Sequence, residues 1–265
     1  MIFDSSYLSS SNFLRSLVVD KALYLAMSGG VQTMNAQTIH ANNLANVNTT
    51  GFRSDFEQAR SMQVYGDYHP SRVYAMTENP ATRYTEGNLI QTGRDLDVAV
   101  AGKGFIAVYD ERGQEAYTRA GDLQINAAGQ LVTGRGLPVA GVDGPIFLPP
   151  IDSINITADG SISVIPQGGA GNEVAVLNQI KLVNPDSQNL RKEEDGLIHS
   201  RDGQEFEIDP NVQLASGFVE SSNVNAVEEM THIMNLSRRF EMNVKMMDTI
   251  RNNADASARI LQRSA

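Results

Sequence analysis

The chain is 265 residues long, with 21 basic and 31 acidic side chains and a formal charge of −10. That length can bury a core in one to three domains, and an acidic balance with no basic cluster longer than a pair argues against a nucleic-acid footprint. Cysteine is absent, which excludes disulfides and thiolate chemistry, and no apolar run approaches the ~20 residues of a membrane span, so the chain reads as not membrane-inserted.

Residues 1–19 are Ser-rich with scattered Phe, Leu and Ile and an early Asp4. A secretory signal needs a basic start, an unbroken apolar core and a small-residue cleavage site, and the stretch supplies none of these. It reads as a disordered leader, or as an extension upstream of a natural start near Val19.

From Asp20, stepping alternately three and four residues picks out Leu23, Met27, Gly30, Met34, Gln37, Ala41 and Leu44. That is a weakly amphipathic helix, uninterrupted by proline. It ends in Ala41-Asn-Asn-Leu-Ala-Asn-Val-Asn-Thr-Thr-Gly-Phe-Arg53, where Asn42, Asn43, Asn46 and Asn48 favour side-chain-to-backbone bonding over helix. Gly51 is placed to take positive φ after the helix, and Phe52 to anchor the returning chain.

Residues 53–94 are polar and irregular, with Tyr65, Tyr68, Tyr74, Pro70 and Pro80. A surface loop of that length is unusual in a compact domain. From residue 95 to about 215, short apolar runs alternate with turn signals, predicting strands at 98–100, 105–109, 116–118, 123–125, 131–133, 146–148, 154–157, 161–165 and 174–183. Asn126-Ala-Ala-Gly-Gln and Thr157-Ala-Asp-Gly-Ser read as one hairpin turn used twice, with Gly129 and Gly160 at positive φ. Gly168-Gly-Ala-Gly171 reads as a flexible loop tip.

The last stretch, 223–262, carries the strongest periodicity. The same stepping gives Ile233, Leu236, Phe240, Asn243, Met247, Ile250, Ala254, Ser257 and Leu261, with charged residues between them. A narrow apolar seam repeating every 3.5 residues or so is a coiled-coil pattern, opened by a capping box at Asn225 and Glu228. Such a helix is roughly 60 Å long at 1.5 Å per residue, and so long a seam needs a partner. The N-terminal helix offers one.

The fold class read from these elements is α+β: long N- and C-terminal helices forming a coiled-coil or helical-bundle domain, with an inserted all-β domain of short antiparallel strands. The boundaries fall at 1–19 (leader), 20–52 (N-terminal helix), 53–94 (arm with a short hairpin), 95–217 (β domain) and 218–265 (C-terminal helix).

No arrangement of catalytic groups emerges. Asp95 and Asp97 share a strand face, but nothing around them would raise a carboxyl pKa, so a turn and strand edge is the simpler reading. Ala101-Gly-Lys-Gly104 lacks the spacing and the Ser or Thr of a phosphate loop. His40, His69, His199 and His232 are isolated from one another, without metal-ligand spacing. No catalytic, cofactor-binding or metal residue is assigned, and no small-molecule substrate.

Four ordered segments resemble the flagellar basal-body rod and hook protein family. They are 41–53, quoted above; Leu96-Asp-Val-Ala-Val-Ala-Gly-Lys-Gly-Phe105; Tyr117-Thr-Arg-Ala-Gly121 with the hairpin at 126–133; and Ser216-Gly-Phe-Val-Glu-Ser-Ser-Asn-Val-Asn225 with Arg239-Phe-Glu-Met242. The motif positions are Asn42, Asn43, Ala45, Asn46, Gly51, Phe52, Ser222, Asn223, Arg239 and Glu241. Phe240 between the last two is similar to the proximal-rod branch, where the distal-rod branch more often carries Tyr. The resemblance implies a structural, non-enzymatic subunit of the rod, the drive shaft between motor and hook. It also implies passage through the flagellar type III export apparatus, and partners that are copies of itself and other rod proteins. Leu23, Met27, Met34, Ala41, Leu44, Ile233, Leu236, Phe240, Met247, Ile250 and Leu261 would then form the assembly seam. A reading of another class is a β-domain adhesin or tail-fibre-like binding protein trimerised by its helices. A hydrolase using Asp95 and Asp97 is the third.

Overall fold

The structure, a computed structural model, describes residues 9–63, 73–166, 175–193 and 195–263. The first residues of the expected leader, residues 64–72 of the expected arm and the glycine loop at 168–171 lie outside the described residues. The protein is α+β, with two long helices and many short antiparallel strands.

In chain order the elements are α1 (Ser9–Ala45), β1 (Asp55–Gln63), β2 (Val73–Thr82), β3 (Leu89–Gln91), β4 (Val98–Ala101), β5 (Phe105–Tyr109), β6 (Glu115–Thr118), β7 (Leu123–Ile125) and β8 (Leu131–Thr133). They continue with β9 (Ala140–Gly141), β10 (Gly144–Pro145), β11 (Ile151–Ile156), β12 (Ser161–Pro166), β13 (Ala175–Gln179), β14 (Leu182–Val183), β15 (Leu190–Lys192), β16 (Ile198–Ser200), β17 (Gln213–Ser216), β18 (Phe218–Glu220) and α2 (Ala226–Arg263). Two compact units result. One holds α1 to Leu44, the β1–β2 ribbon to Ala81, and α2; the other holds residues 45–54 and 82–225.

The β unit is built around the five-stranded sheet β14–β5–β6–β16–β15. Alternation along β5 sends Ile106 and Val108 into one apolar cluster and Phe105 and Ala107 into another; on β6, Ala116 and Tyr117 divide the same way. A strand covered on both faces reads as a continuous apolar run, as Phe-Ile-Ala-Val does here. The larger cluster adds Val98, Val100, Leu123, Leu131, Ile146, Ile156, Ile162, Val164, Ile180 and Leu182 from the surrounding small sheets. Inside the second cluster, burial pushes the Tyr117 phenol well above its ordinary range. Its hydroxyl donates to Glu115 at 2.9 Å and accepts from the Phe206 N–H at 3.1 Å.

Both expected hairpin turns close alike. Gly129 N–H donates to Asn126 O at 3.0 Å and Gly160 N–H to Thr157 O at 2.9 Å, with φ of 77° and 85° at the two glycines. In the second turn the Thr157 and Ser161 hydroxyls hold the exposed Asp159 carboxyl down to about 2.

Two strand expectations change. Residues 146–148 form no strand but a single bridge, Phe147 opposite Gln130, because Pro149 and Pro150 follow and offer no N–H. The run at 174–183 divides into β13 and β14, since the Ile180 and Lys181 N–H groups turn to Gly160 O and Ala140 O, each at 2.9 Å. The expected arm contains β1 and β2, paired with each other. Helix α1 starts at Ser9, ahead of Asp20; Ser9 to Val19 contains no Gly or Pro to stop it.

Replacing Ile106, wholly buried on β5, by Ala should cost about 2–5 kcal/mol by urea unfolding of the purified chain.

Candidate assembly site

In the β unit, three segments far apart in the chain meet at one carboxylate. Glu220, on β18, is 1% exposed. Its Oε1 accepts from Arg53 Nη2 at 2.6 Å and from the Gly87 N–H at 2.7 Å, and its Oε2 accepts from Arg119 Nη1 at 2.9 Å. Its backbone carbonyl takes the Gly51 N–H at 2.8 Å. Arg119 Nη2 also donates to Gly102 O at 2.6 Å, and its guanidinium lies 5.3 Å above the Phe105 ring centre. Burial pushes the Arg119 guanidinium below its ordinary pKa; Glu220 opposes this and Arg53 adds to it.

Glycine permits the close approach. Gly51 sits at φ 65°, and a Cβ there would stand 2.2 Å from the Arg119 carbonyl carbon; a Cβ on Gly87 would stand 2.0 Å from Ser221 O. Phe52 lies under Lys192, whose Nζ is 4.1 Å from the ring centre and donates to Arg53 O at 2.8 Å. Asn223 closes the other side. Its Oδ1 accepts from the Ser54 N–H at 2.7 Å, and its Nδ2 donates to Arg83 O at 2.9 Å and Thr85 O at 3.1 Å.

The helical unit has its own polar contact. His40 Nδ1 lies 2.5 Å from Glu229 Oε2, and Asn43 Nδ2 donates to Glu229 Oε1 at 3.3 Å. Asn43 also brackets the Asp55 backbone, donating to its O at 2.7 Å and accepting from its N–H at 3.0 Å. The His40 and His232 rings stack at 4.8 Å. Further along, Thr33 Oγ1 accepts from Asn243 Nδ2 at 3.4 Å, and Gly29 and Gly30 face Asn243 and Phe240.

Among the described side chains of α1 the buried positions are Ala26, Gly30, Thr33, Ala36 and Asn43; Gly30 belongs to the stripe read from the sequence, and the other four each lie one residue before a member of it. Leu23, Met27, Met34 and Ala41 are exposed, Met27 by 48% and Met34 by 55%, while Leu44 is half-buried. On α2 the two coincide: Leu236 is buried, and Ile233, Phe240, Met247 and Ile250 are half-buried. The Leu261 side chain lies outside the described residues. Among the motif positions, Asn43 and Ser222 are buried, Asn46, Gly51, Phe52 and Asn223 half-buried, and Asn42, Ala45, Arg239 and Glu241 exposed. Asp97 is buried; its carboxylate meets Arg94 Nη2 at 2.8 Å and the Thr92 hydroxyl at 2.6 Å, while Asp95 is exposed. Sequence reasoning did not single out Arg53, Arg119 and Glu220 as a group, although each stands inside a quoted motif.

Replacing Glu220 by Gln leaves two buried guanidiniums without their counter-charge. It should cost about 3–5 kcal/mol in urea unfolding, whereas Asp95→Asn should change stability by less than about 0.5 kcal/mol.

Comparison with known proteins gives the motifs a family. Residues 23–53 match the flagella basal body rod protein family. Residues 99–164 match the flagellar hook protein FlgE/F/G D1 domain, and residues 215–260 the flagellar basal body rod FlgEFG protein C-terminal family. Arg53, Arg119 and Glu220 fall one in each. The chain is 37% identical to the flagellar basal-body rod protein FlgF of Escherichia coli, over 93% of this chain and 100% of that protein. It is 36% identical to the FlgF of Salmonella typhimurium over the same shares. To the flagellar basal-body rod protein FlgG of Agrobacterium fabrum it is 32% identical, over 92% of this chain and 99% of that protein. The chain belongs to the flagellar basal-body rod protein family, beside FlgF.

Proposed function

We propose that the chain is a structural subunit of the bacterial flagellar basal-body rod. It polymerises through its terminal helices, with copies of itself and with other rod proteins, into the shaft that carries torque across the periplasm to the hook. The observation that carries the reading is the outward apolar face of both helices. Tyr24, Met27, Val31 and Met34 on α1, and Met230, Met234, Met242 and Met246 on α2, are exposed, while from Ala26 to Asn43 the α1 positions facing α2 are small or polar. Large apolar side chains left in water on long helices mark surfaces that neighbours cover, and methionine adapts to several neighbours rather than one. Contacts of one patch with a different patch do not close on themselves and give a helical assembly.

In this reading, residues 20–52 and 218–265 supply a coiled-coil axial domain, and residues 95–217 a β domain that sets contacts with neighbours. The FlgF-named relatives and Phe240 favour the proximal part of the rod. The subunit passes unfolded through the flagellar type III export apparatus, and its helices complete their packing on assembly, as isolated helices with weak seams are marginal in water.

Met27→Asp and Phe240→Asp test the two faces of the helical unit, outward and inward. Supplied to cells lacking the gene, both variants should be missing from purified basal bodies and should abolish swimming. Wild-type incorporation and swimming by both would refute the reading.

A further inference from the structure

All the sulfur in the chain is methionine sulfur: there are ten methionines and no cysteine. Six of them, Met27 and Met34 on α1 and Met230, Met234, Met242 and Met246 on α2, are between 48% and 59% exposed. Among the described side chains the other methionine is Met247, which is half-buried. Met27 and Met34 lie two helical turns apart and share a face with Tyr24 and Val31. No Asp, Glu, Lys or Arg occurs between Lys21 and Arg53 to make that face polar. On α2, Met230 and Met234, and again Met242 and Met246, stand one turn apart.

Leucine would give these faces the same apolar character, since leucine and methionine exchange at small cost and favour helix alike. What methionine adds, besides flexibility, is a sulfur lone pair that oxidants can reach.

We propose that these six thioethers are a modification site: in the free subunit a peroxide oxidises them to sulfoxides, and the oxidised subunit is barred from assembly. The sulfur lone pair attacks one peroxide oxygen and the O–O bond breaks. The proton on the transferred oxygen passes to the departing hydroxide, which leaves as water; sulfur loses two electrons and the peroxide gains them. The product carries a strong S=O dipole where a thioether stood, and sulfoxides disrupt methionine-rich interfaces. Burying that acceptor against an apolar neighbour without a donor is costly. Neighbours that cover the helices also shield the sulfurs, so the sensitivity belongs to the unassembled chain and ends on incorporation. The inference rests on the rod reading above, which makes these faces contact surfaces.

Purified full-length subunit is treated with hydrogen peroxide, digested and analysed by mass spectrometry. The six exposed methionines should gain oxygen at least about threefold faster than Met247, and in purified basal bodies at least about tenfold more slowly than in the free subunit. In cells lacking the gene, a brief peroxide pulse during synthesis should lower entry of the wild-type chain into basal bodies at least about threefold. A variant with all six changed to Leu should enter equally with and without the pulse. Met27→Leu, Met34→Leu, with two changes only, should lose part of the sensitivity, and it carries the comparison if the six-fold variant does not assemble. Oxidation of Met247 as fast as the six, an equal fall in wild-type and Leu variants, or freshly incorporated chains bearing these sulfoxides overturns the proposal and leaves the rod reading standing. Absence of the untreated wild-type chain from basal bodies overturns the rod reading instead.

Discussion

Glu220 is one buried carboxylate set between two buried guanidiniums, and the β unit closes around it. Desolvating three charges is expensive, and an apolar core of the same volume is often as stable or more so. What the ionic contact supplies is selection: of all the segments that might have met there, only those bringing Arg53 and Arg119 neutralise the carboxylate. Arg53 Nε and Nη1 and Arg119 Nε find no hydrogen-bond partner among the described residues. The glycines at 51 and 87 belong to the same arrangement, because any side chain there would hold the backbones apart.

The helical unit uses the opposite materials to similar effect. From Ala26 to Asn43 the α1 face toward α2 is Ala, Gly, Thr, His and Asn, which bury little area, and the polar contacts of His40, Asn43 and Thr33 set its register. Small side chains let helices approach closely, while directional hydrogen bonds allow one alignment. The bulky residues are left for surfaces elsewhere on the two helices. Much apolar area therefore remains unburied in the single chain.

How much of this is legible without coordinates differs by element. The strands at 105–109, 123–125 and 131–133 coincide with β5, β7 and β8, because each apolar run is bounded by turn residues; Gly129, Gly160 and Gly51 take the positive φ that their contexts require. The α2 face is legible because its apolar residues are also the less exposed ones. On α1 they are not, so a reading that follows hydrophobicity lands on the greasy side of the helix, about 100° from the small-residue face. Strands of three residues such as β3, β15 and β16 are too short to leave a periodic trace. The ionic contact at Glu220 is invisible for another reason: its partners lie 167 and 101 residues away, in segments that each look like an ordinary polar turn.

Those separations bear on how the β unit comes to be folded. β4 pairs with β17 and β3 with β18, so strands from the start of the unit find their partners only at its end. The hairpins β5–β6, β7–β8 and β11–β12 can form from neighbouring residues on the microsecond scale. The closing pairs require a long loop to be searched first, and folding slows as such non-local contacts come to dominate. A chain emerging N-terminus first carries Arg53 and Arg119 without their counter-charge until residue 220 arrives. The apolar core from Val98 to Leu214 needs no residue beyond 214, so what Glu220 adds last is the closure that ties Arg53 and Arg119 to the end of the unit.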